Sequence, residues 1–582
     1  MRALVLLFTA CTPTRSHQGV DPLPTTNDEP TAPVPDTSEF PTVLSSTLTT
    51  VPEPDVTHST VESALPPVLS VTVPAGAYDG PFDVEITTTD PTADIWYTLD
   101  GSRPTIDAAL HYDGLLTVDT SSVLRAVSGN AWGLGWIAVP WVQLDADLVG
   151  FSSNLPLVVL WTVDQAPDYK SEIYTPFSLV VFEPDPVSSR TTLPGAAALG
   201  VRAGLKIRGS SSAGYPKHPY RLETWLPDVD AENDVELLGM PAEGDWILGA
   251  PLDFDRALMR DPLIFALSNQ VGRYAPRTEH VEMFIAEVGE SVGIDDYVGV
   301  YVAGERIERD AERVNIEKLL PSDVAEPELT GGYIFKEDRT GPGESGFYAG
   351  TGGGILDFQQ PFVNVDPNED EIAGAQDEYL QNLLDELGIA LVSPGFTHPV
   401  SGRHYEEIID VDAWIDHHIL NILPKNPDAF RLSGYFHKDR DGLLIAGPVW
   451  DFDRTMGCNS DSRCDQPTWW DAQNITPDCT FMFDHGFWGG LFDDPVFVER
   501  YYDRLEELLT GQLSMENINI VIDDMQSSLI EAAPRNFIVW SAYPPDGSFD
   551  AEVQHLRDWL STRHAWMTEC LLLPNPSVCA GD

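Results

Sequence analysis

Residues 433–438 (SGYFHK) and 443–450 (LLIAGPVW) are apolar and aromatic runs separated by Asp439-Arg440-Asp441-Gly442. An Asp-Gly pair between two such runs is the pattern of a β-hairpin. A hairpin lays the start of its first strand beside the end of its second. Asp428 precedes the first run, and Asp451 and Asp453 follow the second, so the fold-back gathers three carboxylates at one open end. Gathered carboxylates repel and raise one another's pKa unless a shared proton or a cation lies between them. A hard divalent ion with oxygen ligands, most often Mg2+, is the usual resolution. Acidic residues at turns are common in a chain with 92 Asp and Glu. The hairpin geometry, rather than the Asp-x-Asp tripeptide, gives these three their chemical meaning.

The stretch at 426–457 resembles the spore coat protein H (CotH) kinase family, which carries an Asp before a hairpin and a Pro-x-Trp-Asp-x-Asp element after it. The matching residues are Asp428 and Pro448-Val449-Trp450-Asp451-Phe452-Asp453. The resemblance runs over residues 151–582. It implies an α+β, bilobal, atypical protein-kinase-like fold that uses ATP with Mg2+ or Mn2+ to phosphorylate Ser or Thr of proteins. On that reading Asp428 orients the substrate hydroxyl or accepts its proton, Asp451 binds the metal and Asp453 supports it. Protein kinases place a metal-binding Asn five positions after the catalytic Asp. Here that position is Ser433, whose hydroxyl offers one oxygen.

Between the expected strands 204–208 and 220–225 lies Gly209-Ser210-Ser211-Ser212-Ala213-Gly214-Tyr215-Pro216-Lys217. Glycines and hydroxyls between strands can turn backbone N–H groups toward phosphate oxygens. No Gly-Lys-Ser or Gly-Lys-Thr opens a helix there, so it is not a P-loop. It resembles the family's Arg-Gly-x-Ser-Ser and Lys motif, which makes Arg208, Ser211 and Lys217 candidate nucleotide contacts. Lys336, in the strand GGYIFKED at 331–338, competes with Lys217. Glu305 is the implied analogue of the acidic residue that fixes a kinase's nucleotide-binding lysine.

A net charge of −59 disfavours nucleic acid and anionic membrane surfaces as partners. Arg2 and the apolar run 3–10 end at Cys11, a pattern similar to a bacterial lipoprotein processing site. Residues 1–11 are therefore read as a signal segment, with lipidation at Cys11, and the protein as exported, either anchored to the cell envelope or secreted. Residues 12–66 are rich in Thr, Pro and Ser and predict a disordered linker.

Short alternating runs at 69–73, 82–87, 95–99, 114–118, 123–127 and 137–142 predict a small all-β, immunoglobulin-like sandwich over 67–146. Within it, Trp96-Tyr97-Thr98-Leu99-Asp100-Gly101-Ser102-Arg103-Pro104-Thr105 resembles the signature of the chitobiase/β-hexosaminidase C-terminal domain. That likeness implies an accessory module with glycan contact as one role and spacing as the other. The kinase-like domain is then 147–582.

Residues 411–423 carry apolar positions at helical spacing, with Asp410 or Asp412 near the start. His417 and His418 lie on that helix without a second ligand at i+4 and are read as structural. Residues 495–509, 515–533 and 553–572 are expected to be helical scaffold. In an exported chain Cys570 and Cys579 form a natural local pair, while the pairing among Cys458, Cys464 and Cys479 stays open.

The leading function is thus an exported metal-dependent protein kinase with a nucleotide and a surface protein as partners. Two alternatives stand beside it: a kinase-like surface binding protein or adhesin without activity, and a carbohydrate-binding surface protein.

Overall fold

The computed structural model describes residues 65–569, except 106–108, 163–166, 169–170, 210–211, 288, 342, 350–355, 357, 359 and 469–480. Cys11, nearly all of the expected linker, Ser211, Cys479, Cys570 and Cys579 lie outside the described residues.

The N-terminal β module has a six-stranded sheet, which includes Ile95–Thr98, Ser122–Asn130 and Gly133–Gln143. Two short pairs face it, Leu69–Val71 with Ile86–Thr88 and Phe82–Val84 with Leu116–Val118. The single run expected at 82–87 serves both pairs. Val84 and Ile86 enter the core while Glu85 between them stays exposed, so strand alternation holds as the chain changes partner.

This module is bound into the rest of the chain. Gly195–Ala196, far downstream, adds to its sheet beside Gly76–Tyr78. A Cβ at Gly76 would lie 2.6 Å from the Gly195 carbonyl oxygen, so only glycine permits this approach. Arg125 is buried and donates to the carbonyls of Pro227 and Asp228, both at 3.0 Å. Ala77, Val123 and Val142 share one apolar cluster with Leu157, Val159 and Phe284.

Seven strands then close a barrel: Leu157–Thr162, Thr175–Phe182, Leu199–Ile207, Tyr220–Trp225, Asp245–Gly249, Tyr297–Glu305 and Thr278–Glu287, in that spatial order. Closure removes the free sheet edges, and Val158, Leu179, Leu222, Trp246 and Met283 fill the interior. A five-stranded sheet follows, with the Gly434–Lys438 and Leu444–Ala446 hairpin at one side. Beside it pack Arg260–Val271, Gly374–Val392 and Val411–Ile422, the last capped by Asp410, whose carboxylate accepts from Ala413 N at 3.0 Å.

The C-terminal helices are Pro495–Thr510, Met515–Leu529, Ala532–Val539 and Phe549–Met567. The stretch expected as one helix over 515–533 is two, and Pro534, which cannot donate a helical hydrogen bond, falls in the first turn of the second. Among the described residues no helix is long and apolar enough to cross a membrane.

Candidate functional site

The hairpin forms in the expected place, with Phe436, His437 and Lys438 opposite Ala446, Ile445 and Leu444. The second strand ends earlier than its apolar run, because Gly447 has a positive φ of 127° and Pro448 has no N–H for the ladder. Beyond it Val449 and Phe452 are buried and Trp450 stacks on Phe265, with centroids 5.6 Å apart. These contacts pin the segment, leaving Asp451 and Asp453 on the wall of a solvent-open cleft with about 930 Å3 of atom-free space, the solvent at its mouth included. Ile247, Gly249 and Val302 of the barrel line the opposite wall.

Several hydrogen bonds hold this acidic segment. Asn426 accepts from Asp428 N at 3.0 Å through Oδ1 and donates through Nδ2 to the Asp451 carbonyl at 3.2 Å. One side chain thereby ties the two ends of the hairpin together. Ser433 Oγ donates to Asp451 Oδ2 at 3.2 Å. Both residues adopt left-handed backbone, with φ of 53° and 69°. That conformation costs an L-residue about 1–3 kcal/mol and collects at functional sites.

Asp428 stands at the open end but does not line the cleft wall with Asp451. Its Oδ1 accepts from Arg431 and, at 3.1 Å, from Arg463. Arg463 lies in the short loop closed by the Cys458–Cys464 disulfide, which resolves the pairing that the sequence leaves open. Asp428 and Asp451 are nonetheless close enough that the charge of Asp428 adds to the upward push on the Asp451 carboxyl, after burial.

Asp261, which sequence reasoning passed over as a ligand, completes the acidic group. It sits in the first turn of the Arg260–Val271 helix and accepts from Phe452 N at 2.5 Å. Burial first, then the charge of Asp451, pushes its carboxyl up to about 7. Asp453 is pushed well above the usual range by burial and by Asp451 and Asp261. The only sequence signal of Asp261 is its position, directly after Met259-Arg260 at a helix start.

A carboxyl raised on folding contributes stability that is complete below its unfolded pKa, ordinarily 3.8, and lost as pH rises toward about 7. In metal-free protein the thermal midpoint of Asp261→Asn, relative to the parent, should therefore climb between pH 4 and pH 7.5. A flat difference across that range would contradict the assignment.

The donor set suits a hard cation: carboxylates made costly to ionise by burial and by one another, with oxygen ligands alone. These carboxylates do not by themselves form a tight cage. Among the described residues the one group with three ligand atoms mutually within 4.8 Å is Glu232, Asp234 and Glu243, of which the first two are exposed. The cleft therefore fits the Mg2+ habit of one or two carboxylates plus phosphate and water oxygens, with Asp451 and Asp453 as the residues that would hold it.

The basic candidates fare differently. Lys217 is 1% exposed and donates to the carbonyls of Pro251 and Val300 and to Asn536 Oδ1, at 3.0, 2.5 and 3.0 Å. Its three N–H groups are consumed, so it serves as a strut between the barrel and the C-terminal helices, not as a free phosphate contact. Glu305 is fully buried against Arg277, with Nε at 2.8 Å, and Tyr274. No lysine is paired with it among the described residues, so the expected Lys–Glu pair is replaced by Arg–Glu. Lys336 pairs with Glu344 at 3.2 Å and Asp338 at 3.5 Å. Arg208 lines the cleft, with its guanidinium over the Trp450 ring at 5.0 Å.

The two histidines are structural, as the missing second ligand suggested. His418 bonds Tyr501 Oη at 2.9 Å and the Met482 carbonyl at 2.7 Å. Burial holds His417 and His418 down to about 4 and about 3, so both stay neutral near pH 7.

A family model described as CotH kinase protein matches residues 205–567, and one described as chitobiase/beta-hexosaminidase C-terminal domain matches residues 73–131. No curated protein matches the chain.

Proposed function

The chain belongs to the CotH kinase protein family, and from that membership we propose an exported, metal-dependent protein kinase that transfers the γ-phosphate of ATP to Ser or Thr of surface proteins. The observation that carries this reading is the pair Asp451 and Asp453 lining a cleft that also holds Arg208. On this reading the barrel and the helical part with its five-stranded sheet act as two lobes around the nucleotide. Export, and a lipid anchor at Cys11, belong to the proposal.

Phosphoryl transfer asks mainly for positioning and charge neutralisation. Asp451 and Asp453 would hold Mg2+ or Mn2+, which when bound neutralises charge on the phosphates. Ser433 fixes the Asp451 carboxylate through its hydroxyl. Asp428, oriented through Oδ1 by Arg431 and Arg463, keeps Oδ2 for the proton of the acceptor hydroxyl. The test is incubation of residues 65–582 with labelled ATP and Mg2+ or Mn2+ and a protein acceptor. Transfer that requires both metal and Asp428 supports the reading; nucleotide binding without transfer under any metal sinks it.

One observation favours the inactive binding protein instead, namely that Lys217 and Glu305 are both committed elsewhere. The same incubation decides between them.

Glycan contact through the β module has its own support. Trp96, Val127 and Trp136 stand side by side on one sheet face, with Trp132 at the adjoining turn 57% exposed. Flat aromatic faces of this kind suit sugar rings. Trp96→Ala together with Trp132→Ala should abolish retention on cell-wall glycan; unchanged retention would leave the module as a spacer.

A further inference from the structure

Tyr220 and Leu222 point into the barrel interior, so Arg221 between them points outward. Its neighbours across the sheet are Lys206 on one side and Ile247 on the other. Register partners share a face, and Ile247 lines the cleft. Arg208 is two residues beyond Lys206, on the same outward face, and also lines the cleft. The outer barrel wall therefore carries a basic row that leads from the cleft mouth to a point near Asp451 and Asp261, whose charges Arg208 feels.

Most cations along this wall are already matched. Lys206 pairs with Glu172 at 3.1 Å, Arg306 with Asp245 at 2.6 Å, and Lys336 with Glu344 at 3.2 Å. Lys217 has spent its donors on two carbonyls and an amide. Arg208 and Arg221 are the exceptions: neither has an ion pair or a side-chain hydrogen bond among the described residues. Each instead works against the other, since the charge of Arg221 adds to burial in lowering the Arg208 pKa. With 92 acidic and 33 basic residues in the chain, composition offers abundant counterions. Two neighbouring arginines left without one, Arg208 lining the cleft and Arg221 beside the cleft-lining Ile247, are a standing repulsion that an anion would relieve.

The chemistry of the opposite wall narrows the anion. A simple carboxylate would satisfy the arginines but would face Asp261, Asp451 and Asp453 unaided. A polyphosphate carrying a divalent cation meets both walls: phosphate oxygens to guanidinium forks, which bind them in pairs, and the cation to the carboxylates. We propose that Arg208 and Arg221, rather than any lysine, are the polyphosphate-binding cations of this cleft. The identity of the ligand as ATP rests on the kinase reading above; the anion site itself does not.

Titration calorimetry with inorganic tripolyphosphate and with ATP, each with Mg2+, tests this on the full-length chain. Arg221→Ala should weaken both ligands about tenfold or more. Arg221→Lys should lie between it and the parent, because the charge remains but the fork is lost. The thermal midpoint of Arg221→Ala should not fall, since the side chain has no partner to lose and one repulsion is removed. Binding of tripolyphosphate with the expected loss in Arg221→Ala, but without ATP-dependent transfer, would keep the arginine site and reject the kinase. Transfer and affinity both unchanged in Arg221→Ala, or no tripolyphosphate binding by the parent, would overturn the arginine site.

Discussion

Asp451→Asn should reduce phosphoryl transfer by about a thousandfold while leaving the protein folded, and the metal-free thermal midpoint should rise. The change is nearly isosteric, so the Ser433 hydroxyl keeps an acceptor and Asn426 still holds the backbone carbonyl of residue 451. What disappears is a negative charge that folding forces into a cleft already lined by Asp261 and Asp453, with Asp428 close by. Removing it relieves repulsion in the metal-free state. It also removes the group placed to hold the cation, and losing one preorganised electrostatic contact typically costs about 10²–10³ in rate. Transfer assays beside thermal denaturation separate the two effects. A variant with parental turnover, or one that unfolds, would remove Asp451 from the catalytic role.

The second large effect concerns support. Arg260→Ala should destabilise the protein by about 3–5 kcal/mol, the usual consequence of taking one partner from a buried ion pair. Arg260 is fully buried and meets Asp255, itself 4% exposed, at 2.7 Å. The same guanidinium donates to the carbonyls of Thr455 and Gly457 at 2.9 and 3.2 Å. It is therefore the clasp between the helix that carries Asp261 and the turn that follows Asp453. Urea denaturation should show the loss, and Asp255→Ala added to Arg260→Ala should restore part of it because the stranded carboxylate is gone. A loss below about 1 kcal/mol would mean that water replaces the clasp.

Nothing in the sequence marks Arg260 as a clasp. Its partners lie five residues away at Asp255 and nearly two hundred away at Thr455, and nothing in local spacing points to the latter. The hairpin was legible for the opposite reason. Its turn chemistry and both strands lie within eighteen residues, and β-turn geometry is set by the residues in the turn. The helix at 411–422 was legible through its apolar spacing and its Asp410 cap. Closure of seven strands into a barrel was not legible. It depends on Leu157–Thr162 meeting Thr278–Glu287 in parallel across more than a hundred residues, a register that alternation within either strand does not encode.

Charge pairing divided in the same way. Asp451 and Asp453 follow from the hairpin, whereas the commitments of Lys217 to Asn536 and of Glu305 to Arg277 arise from packing between distant segments. By itself the sequence determined where an acidic group must gather, because a short-range turn brings its members together. Which cations face that group was decided only by the tertiary structure. A charged side chain is engaged or free according to what the folded chain places within about 3 Å of it, and for Lys217, Arg208 and Arg221 those neighbours come from elements remote in sequence.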